Sequence, residues 1–266
     1  MVDIQADKVA KIVALPNGAS NTVQFRISTK AELKSASWEF GDSTFSKTLE
    51  PSKSYAPEKL FTAKVTLTTK NGAQATVTKL VSSNGTLQDV TAQFLKNTGS
   101  TTKLGGFVAS ERFGGRWGVV ADWRVNKAVR QREGGMGGWD EWEGNCMSME
   151  RWGGEIDIIN GKIEQTSLEP LPVGNYFYAL TFHDFQVKDK LYNIISKADN
   201  LPDVDNAETD PNVIGRLKLF GNGPLESTTA FEIKEQRKVT FGFVATFQQA
   251  EQNFKLWRIK LYRQDK

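Results

Sequence analysis

Three observations predict an all-β fold for this 266-residue chain: apolar residues recur with a period of two, helical periodicity is scarce, and turn signals separate the alternating runs. Val23, Phe25 and Ile27 alternate with polar residues, as do Phe61, Ala63, Val65 and Leu67. Asn71-Gly72 follows and predicts a tight hairpin turn, because that pair tolerates positive φ; Ala73, Ala75 and Val77 then resume the alternation. Further on, residues 176–182 and 214–220 read as strands. Val239, Phe241, Phe243, Ala245 and Phe247 give the cleanest alternation, and 254–262 closes the chain. Residues 188–198 fit a strand or a short helix equally well. The Pro- and acid-rich segment 200–212 reads as a long surface loop.

Composition narrows the function. Sixteen Phe, seven Trp and five Tyr are ample for one or two cores. The net charge of +3 comes from 34 basic and 31 acidic residues with no long basic run, so nucleic acid and anionic membranes are not expected partners. Cys146 is the single cysteine and His183 the single histidine, which excludes an intramolecular disulfide and argues against a Cys-based zinc site. No stretch approaches the ~20 apolar residues of a spanning helix. Residues 1–7 lack the apolar centre of a signal peptide, which leaves a cytosolic protein or one whose leader has been removed.

Residues 1–85 form the first expected domain. Trp38 and Phe40, two apart on a strand, point into one core. Gly41 supplies a positive-φ turn, and the Asp42 carboxylate can cap it. Tyr55 and the 61–67 strand follow. This order resembles the PKD domain, with its W-x-F-G-D-G motif, later Tyr and P-G-x-Y-x-V-x-L strand; Ser43 replaces the last Gly, and 58–60 replace the usual Gly turn. The resemblance covers roughly residues 5–82 and implies an immunoglobulin-like sandwich of about seven strands. It further implies that Trp38, Phe40 and Tyr55 are core residues and that the domain is a spacer. The small polar run 82–86 reads as a linker.

Residues 86–266 form the second expected domain. Ile163, Gln165, Leu171-Pro172, Gly174 and Tyr176 resemble the I-x-Q-x-x-x-L-P-x-G-x-Y hairpin of galactose-binding-like jelly rolls, with Glu169-Pro170 lengthening the approach to the turn. Tyr176, Tyr178 and Leu180 then share one strand face. A PKD-like domain before such a jelly roll is similar to surface lipoproteins of glycan-utilisation systems in Gram-negative gut bacteria. That resemblance implies an extracellular, cell-surface protein, held at the outer membrane only through a removed N-terminal lipid anchor. It also implies a polysaccharide or oligosaccharide ligand. A monomer is expected.

Sugar binding needs aromatic faces for pyranose rings and polar groups for their hydroxyls. Arg132, Trp139, Asp140, Trp142 and Glu143 supply both within the Gly-rich segment 130–143, which reads as a loop; the alternative is that both tryptophans lid the core. Trp117, Trp123 and Arg124 join the candidates. The six-residue separation of the two tryptophans puts them on one face of an unbroken strand, where core packing is the leading reading. Trp152 and Trp257 read as core. His183-Asp184 lacks the G-x-S-x-G nucleophile of a hydrolytic triad. A glycosidase would need two carboxylates about 5–10 Å apart, and nothing pairs Glu141, Glu143, Glu150 or Glu155. Asp199, Asp203, Asp205, Glu208 and Asp210 lack EF-hand spacing, so a solvated acidic loop is expected ahead of a structural calcium, and no other cofactor or metal is. The expected protein is a non-catalytic carbohydrate binder. The rival is an adhesion or scaffold protein that contacts other proteins, with a glycoside hydrolase third.

Overall fold

The computed structural model describes residues 10–17, 20–57, 59–83, 85–100, 105–130, 136–142, 144–222 and 225–265. They divide into two compact units, one within Met1–Gln88 and Gln264–Lys266, the other within Asp89–Arg263.

The first unit contains β1 (Ala10–Asn17), β2 (Thr22–Thr29), β3 (Leu33–Glu39), β4 (Phe45–Ser46), β5 (Ser52–Ser54), β6 (Phe61–Thr69) and β7 (Gln74–Val81). They form two antiparallel sheets, ordered β1-β2-β5 and β4-β3-β6-β7. The inward residues of both sheets make one core around Phe25, Trp38, Phe40 and Tyr55. Trp38 donates its indole N–H to the Thr48 carbonyl (3.0 Å) and Tyr55 its hydroxyl to the Phe40 carbonyl (3.1 Å), so the polar tips of both buried rings are satisfied. Gly41 adopts φ +80°, and a Cβ there would lie 2.7 Å from the Thr62 carbonyl oxygen, so the motif's glycine is required twice over. Asp42 caps the turn by accepting from the Thr44 N–H (3.2 Å) and pairs with Lys53 at 2.7 Å. Asn71-Gly72 lies in a tight hairpin turn between β6 and β7, but only Gly72 of the pair takes positive φ. With the Thr69 N–H bonded to the Ala73 carbonyl (2.9 Å), this is the pattern of a type I turn closed by a bulge.

Past β8 (Thr86–Asp89), the second unit begins with a short helix, α1 (Thr91–Phe94). Its strands are β9 (Ala109–Phe113), β10 (Trp117–Val120), β11 (Arg124–Val125), β12 (Gly138–Asp140), β13 (Cys146–Arg151), β14 (Ile158–Thr166), β15 (Gly174–Ser196), β16 (Val213–Gly221), β17 (Glu226–Ile233), β18 (Thr240–Phe247) and β19 (Gln252–Asp265). Hydrogen bonding runs β11-β14-β18-β15-β19-β13-β12-β10-β9, with β16 and β17 also pairing with β15. The 23-residue β15 serves both layers: residues 174–181 pair with β17, and 190–196 pair with β18. Residues 188–196 are therefore strand. One core lies between the layers, with Tyr176, Tyr178, Phe182, Phe241, Phe243 and Phe254 at its centre. The chain is thus all-β, a pair of β-sandwiches.

Two expectations change here. The pattern at 163–176 is not a hairpin, because β14 pairs with β11 and β18 while β15 begins in the other layer; the intervening residues cross between layers, tied by the Leu168 N–H to the Phe94 carbonyl (2.9 Å). The acidic loop is also more than a solvated crossing. Leu201, Val204 and Ala207 are buried against Tyr192, Ile194 and Val244 on the outer face of the β15–β18 layer. Its carboxylates are spread over separate partners: Asp203 pairs with Lys162 (2.7 Å), Asp205 with Lys190 (2.6 Å), and Glu208 accepts from the Tyr192 hydroxyl (2.7 Å). Among the described residues no group of three or more His, Cys, Asp or Glu is placed to hold a metal ion.

Candidate functional site

Period-two alternation builds the site. On β13, Met147 and Met149 face the core, which turns Ser148 and Glu150 to the opposite face; on β19, Phe254 and Leu256 do the same for Asn253 and Lys255. The register sets Ser148 beside Lys255 and Glu150 beside Asn253, and across the sheet it sets Trp117 beside Asp140. The outer face of β10, β12, β13 and β19 is therefore a continuous row of polar and indole side chains. Over it opens a cleft of about 550 Å³. Trp117, Trp142 and Trp152 wall it; Arg116, Glu150, Asn253 and Lys255 lie between them; Asp184 and Glu251 stand at the rim.

The floor is held by a closed set of charges. Asp140 has no exposed side-chain surface and receives Arg116 Nε (2.7 Å) and Nη2 (2.8 Å), the Trp142 backbone N–H (2.9 Å) and Lys255 Nζ. Burial alone would raise its carboxyl, but the hydrogen bonds from Arg116 and Lys255 and the charge of Lys255 outweigh burial and hold it below the ordinary carboxylate range. The same pairing raises the Arg116 guanidinium. Glu150 accepts from the Trp117 indole N–H (2.9 Å) through Oε1 and from Lys255 (3.3 Å) through Oε2. Arg116 lies over Trp142 at 4.7 Å and over Trp117 at 5.3 Å, so one cation fixes two indoles. Asn253 Oδ1 is buried without a hydrogen-bond partner, an acceptor short of a donor. The arrangement offers rigid aromatic faces beside fixed polar groups, suited to binding an amphipathic ring.

The sequence candidates fall on both sides of this division. Trp142 is 48% exposed at the mouth, and Trp117 lines the cleft. Trp139 is a correction: it is 3% exposed, donates to the Phe107 carbonyl (2.8 Å) and is covered by Arg112 at 5.0 Å, so it packs in the core and only borders a separate hollow. Trp123 is also core, at 5% exposure, with its indole N–H on the Asn97 carbonyl (3.0 Å). It does not share a face with Trp117, because Asp122 at φ +65° ends the run between β10 and β11. Asp140 organises the floor and presents nothing to a ligand. Arg124 pairs with Glu164 (3.2 Å) and bonds the Asp199 carbonyl, tying the 200–212 loop to its layer rather than contacting the cleft. Arg132 and Glu143 lie outside the described residues. Trp152, expected in the core, lines the cleft instead, and Trp257 stacks on His183 at 4.5 Å. Sequence reasoning missed Arg116, Asn253 and Lys255, and weighed Glu150 only as a catalytic carboxylate. The available signal was the polar half of the alternation at 147–150 and 253–256.

Residues 101–242 match the family model described as a domain of unknown function, DUF5013. The chain belongs to this family. The DUF5013 region carries Arg116, the three cleft tryptophans, Glu150 and Asp184, whereas Glu251, Asn253 and Lys255 follow it on the last turn and strand. No curated protein matches the chain. Among solved structures, the PKD1 domain of Vibrio anguillarum Epp is 28% identical, covering 28% of this chain and 89% of that one, with a TM-score of 0.26. TmCBM61 in complex with β-1,4-galactotriose is 15% identical over 54% of this chain and 90% of its own, with a TM-score of 0.33. The SusE-like protein BT2857 is 9% identical over 96% of both chains, with a TM-score of 0.29. Solved structures similar to the DUF5013 chain include PKD domains and β-sandwich carbohydrate-binding modules.

Proposed function

We propose that this protein is a non-catalytic carbohydrate-binding protein of the cell surface, with the glycan held in the Trp142 cleft and the first unit acting as a spacer. The observation that carries this reading is the exposed indole of Trp142, walled by Trp117 and Trp152 above a fixed polar floor. A pyranose has apolar C–H faces and a polar edge, and such a cleft meets both, the indoles burying the apolar face while fixed polar groups meet the hydroxyls. The buried carboxylates support binding over turnover. Asp140 is locked among Arg116, Lys255 and a backbone N–H, and both oxygens of Glu150 already accept hydrogen bonds. Asp140, buried and held on both oxygens, is not placed to carry a proton to or from a glycosidic bond.

Calorimetric titration of the full chain against plant, host and microbial polysaccharides tests the reading. Binding that Trp142→Ala weakens at least about tenfold is expected. Absence of binding to every glycan, or binding that Trp142→Ala leaves unchanged, refutes the site. Hydrolysis of a bound glycan refutes the non-catalytic part. Antibody labelling of intact cells that produce the protein tests the surface location, and labelling only after lysis rejects it.

A further inference from the structure

Resting on the carbohydrate reading, we propose that the cleft selects neutral glycans and rejects those bearing carboxylates or sulfates. Anionic sugars are held by cations that are free to meet them, and the two cations of this cleft are already committed. Arg116 spends Nε and Nη2 on Asp140 and lays its plane against Trp142. Lys255, whose side chain is 6% exposed, sits between Asp140 and Glu150. Their positive charge is already matched by Asp140 and Glu150, so neither offers an incoming anion an uncompensated cation, although the Arg116 side chain is 37% exposed.

The rim points the same way. Asp184 and Glu251 are its exposed charges, and both are acidic. Glu251 meets Lys188 only at 3.5 Å, and among the described residues Asp184 forms no ion pair. The mouth therefore repels an approaching carboxylate, while its two carboxylates accept strongly from neutral hydroxyls. Hydroxyl groups bring donors to both rim carboxylates; carboxylates and sulfates bring none.

The test titrates the full chain with paired oligosaccharides that differ in charge: galactose against galacturonate, glucose against glucuronate and mannose against mannuronate, together with the amine-bearing oligomers of chitosan. The neutral member of the preferred pair is expected to bind at least about tenfold more tightly than its uronate at low salt, with the gap narrowing as salt screens the rim. The double variant Asp184→Lys, Glu251→Lys is expected to shrink that gap by about tenfold. A uronate or a sulfated glycan that binds more tightly than the neutral sugars, or a chitosan oligomer that binds more weakly than they do at low salt, with the binding lost in Trp142→Ala, overturns the charge selection while leaving the carbohydrate reading standing. Failure of every member to bind overturns the carbohydrate reading itself, and the selection with it.

Discussion

Trp142 keeps 48% of its surface exposed, whereas Trp139, three residues earlier, keeps 3%. The difference follows from the end of β12: Trp139 still obeys the strand's alternation toward the core, and Trp142 lies just past the strand, its N–H held by Asp140. Truncating each should therefore separate stability from binding. Trp139→Ala leaves a cavity and an unpaired Phe107 carbonyl and is expected to cost about 3–5 kcal/mol in urea unfolding. Trp142→Ala is expected to change stability by less than about 1 kcal/mol while removing most glycan affinity. The reverse ranking would mean the two roles have been exchanged. Asp140 makes a further prediction at this scale. Its folded carboxyl is held below the ordinary range, so the stability it contributes is complete above the unfolded value of about 3.9 and is lost as pH falls through the folded one. Asp140→Asn should lose about 3 kcal/mol at neutral pH, because Arg116 and Lys255 are left over a neutral amide. It should also flatten the loss of melting temperature below about pH 4. Equal acid slopes in the variant and the parent would show that Asp140 does not carry that stability.

Strands β14 and β18 meet with almost no space between them at Gly242. A Cβ built there would lie 2.0 Å from the Ile163 carbonyl oxygen and 2.8 Å from the Glu164 Cα. Gly242→Ala must push the strands apart and is expected to destabilise the second unit by about 2–3 kcal/mol, read from the denaturation midpoint; a neutral outcome would show that the layer yields there. The alternation of Phe241, Phe243, Ala245 and Phe247 was legible because that side of β18 faces one core. What the opposite side does was not, since Val244 is buried beneath the 200–212 loop, whose own sequence is polar enough to read as solvated. The cleft was half legible for a related reason. Aromatic residues in a Gly-rich segment drew attention to 139 and 142, but Glu150, Asn253 and Lys255 come together only through the pairing of β13 with β19, across a separation in sequence that no local pattern reports. Trp117 and Trp123 show the opposite failure. Their spacing was sound for a continuous strand, and a single positive φ at Asp122 undid it.

The two units each enclose a core made wholly from their own residues, one around Trp38 and Phe25, the other around Tyr178 and Phe243. The first unit was readable almost completely because its fold-defining residues are local: Trp38, Phe40, Gly41 and Asp42 lie in one short run, with Tyr55 close behind. The second has no comparable run, and its long β15 joins two layers by geometry rather than by motif. Separate cores mean that each unit has the burial needed to fold alone, and every residue lining the cleft belongs to the second. A chain truncated to begin at Asp89 should therefore retain its affinity for a soluble oligosaccharide within about twofold. A spacer acts by reach, not by contact, so the truncated chain anchored on a surface should lose capture of immobilised polysaccharide while its solution affinity stays the same. A drop in solution affinity of more than about tenfold in a truncated chain that still melts cooperatively would mean that the first unit supports the site itself, and the spacer role would have to be abandoned.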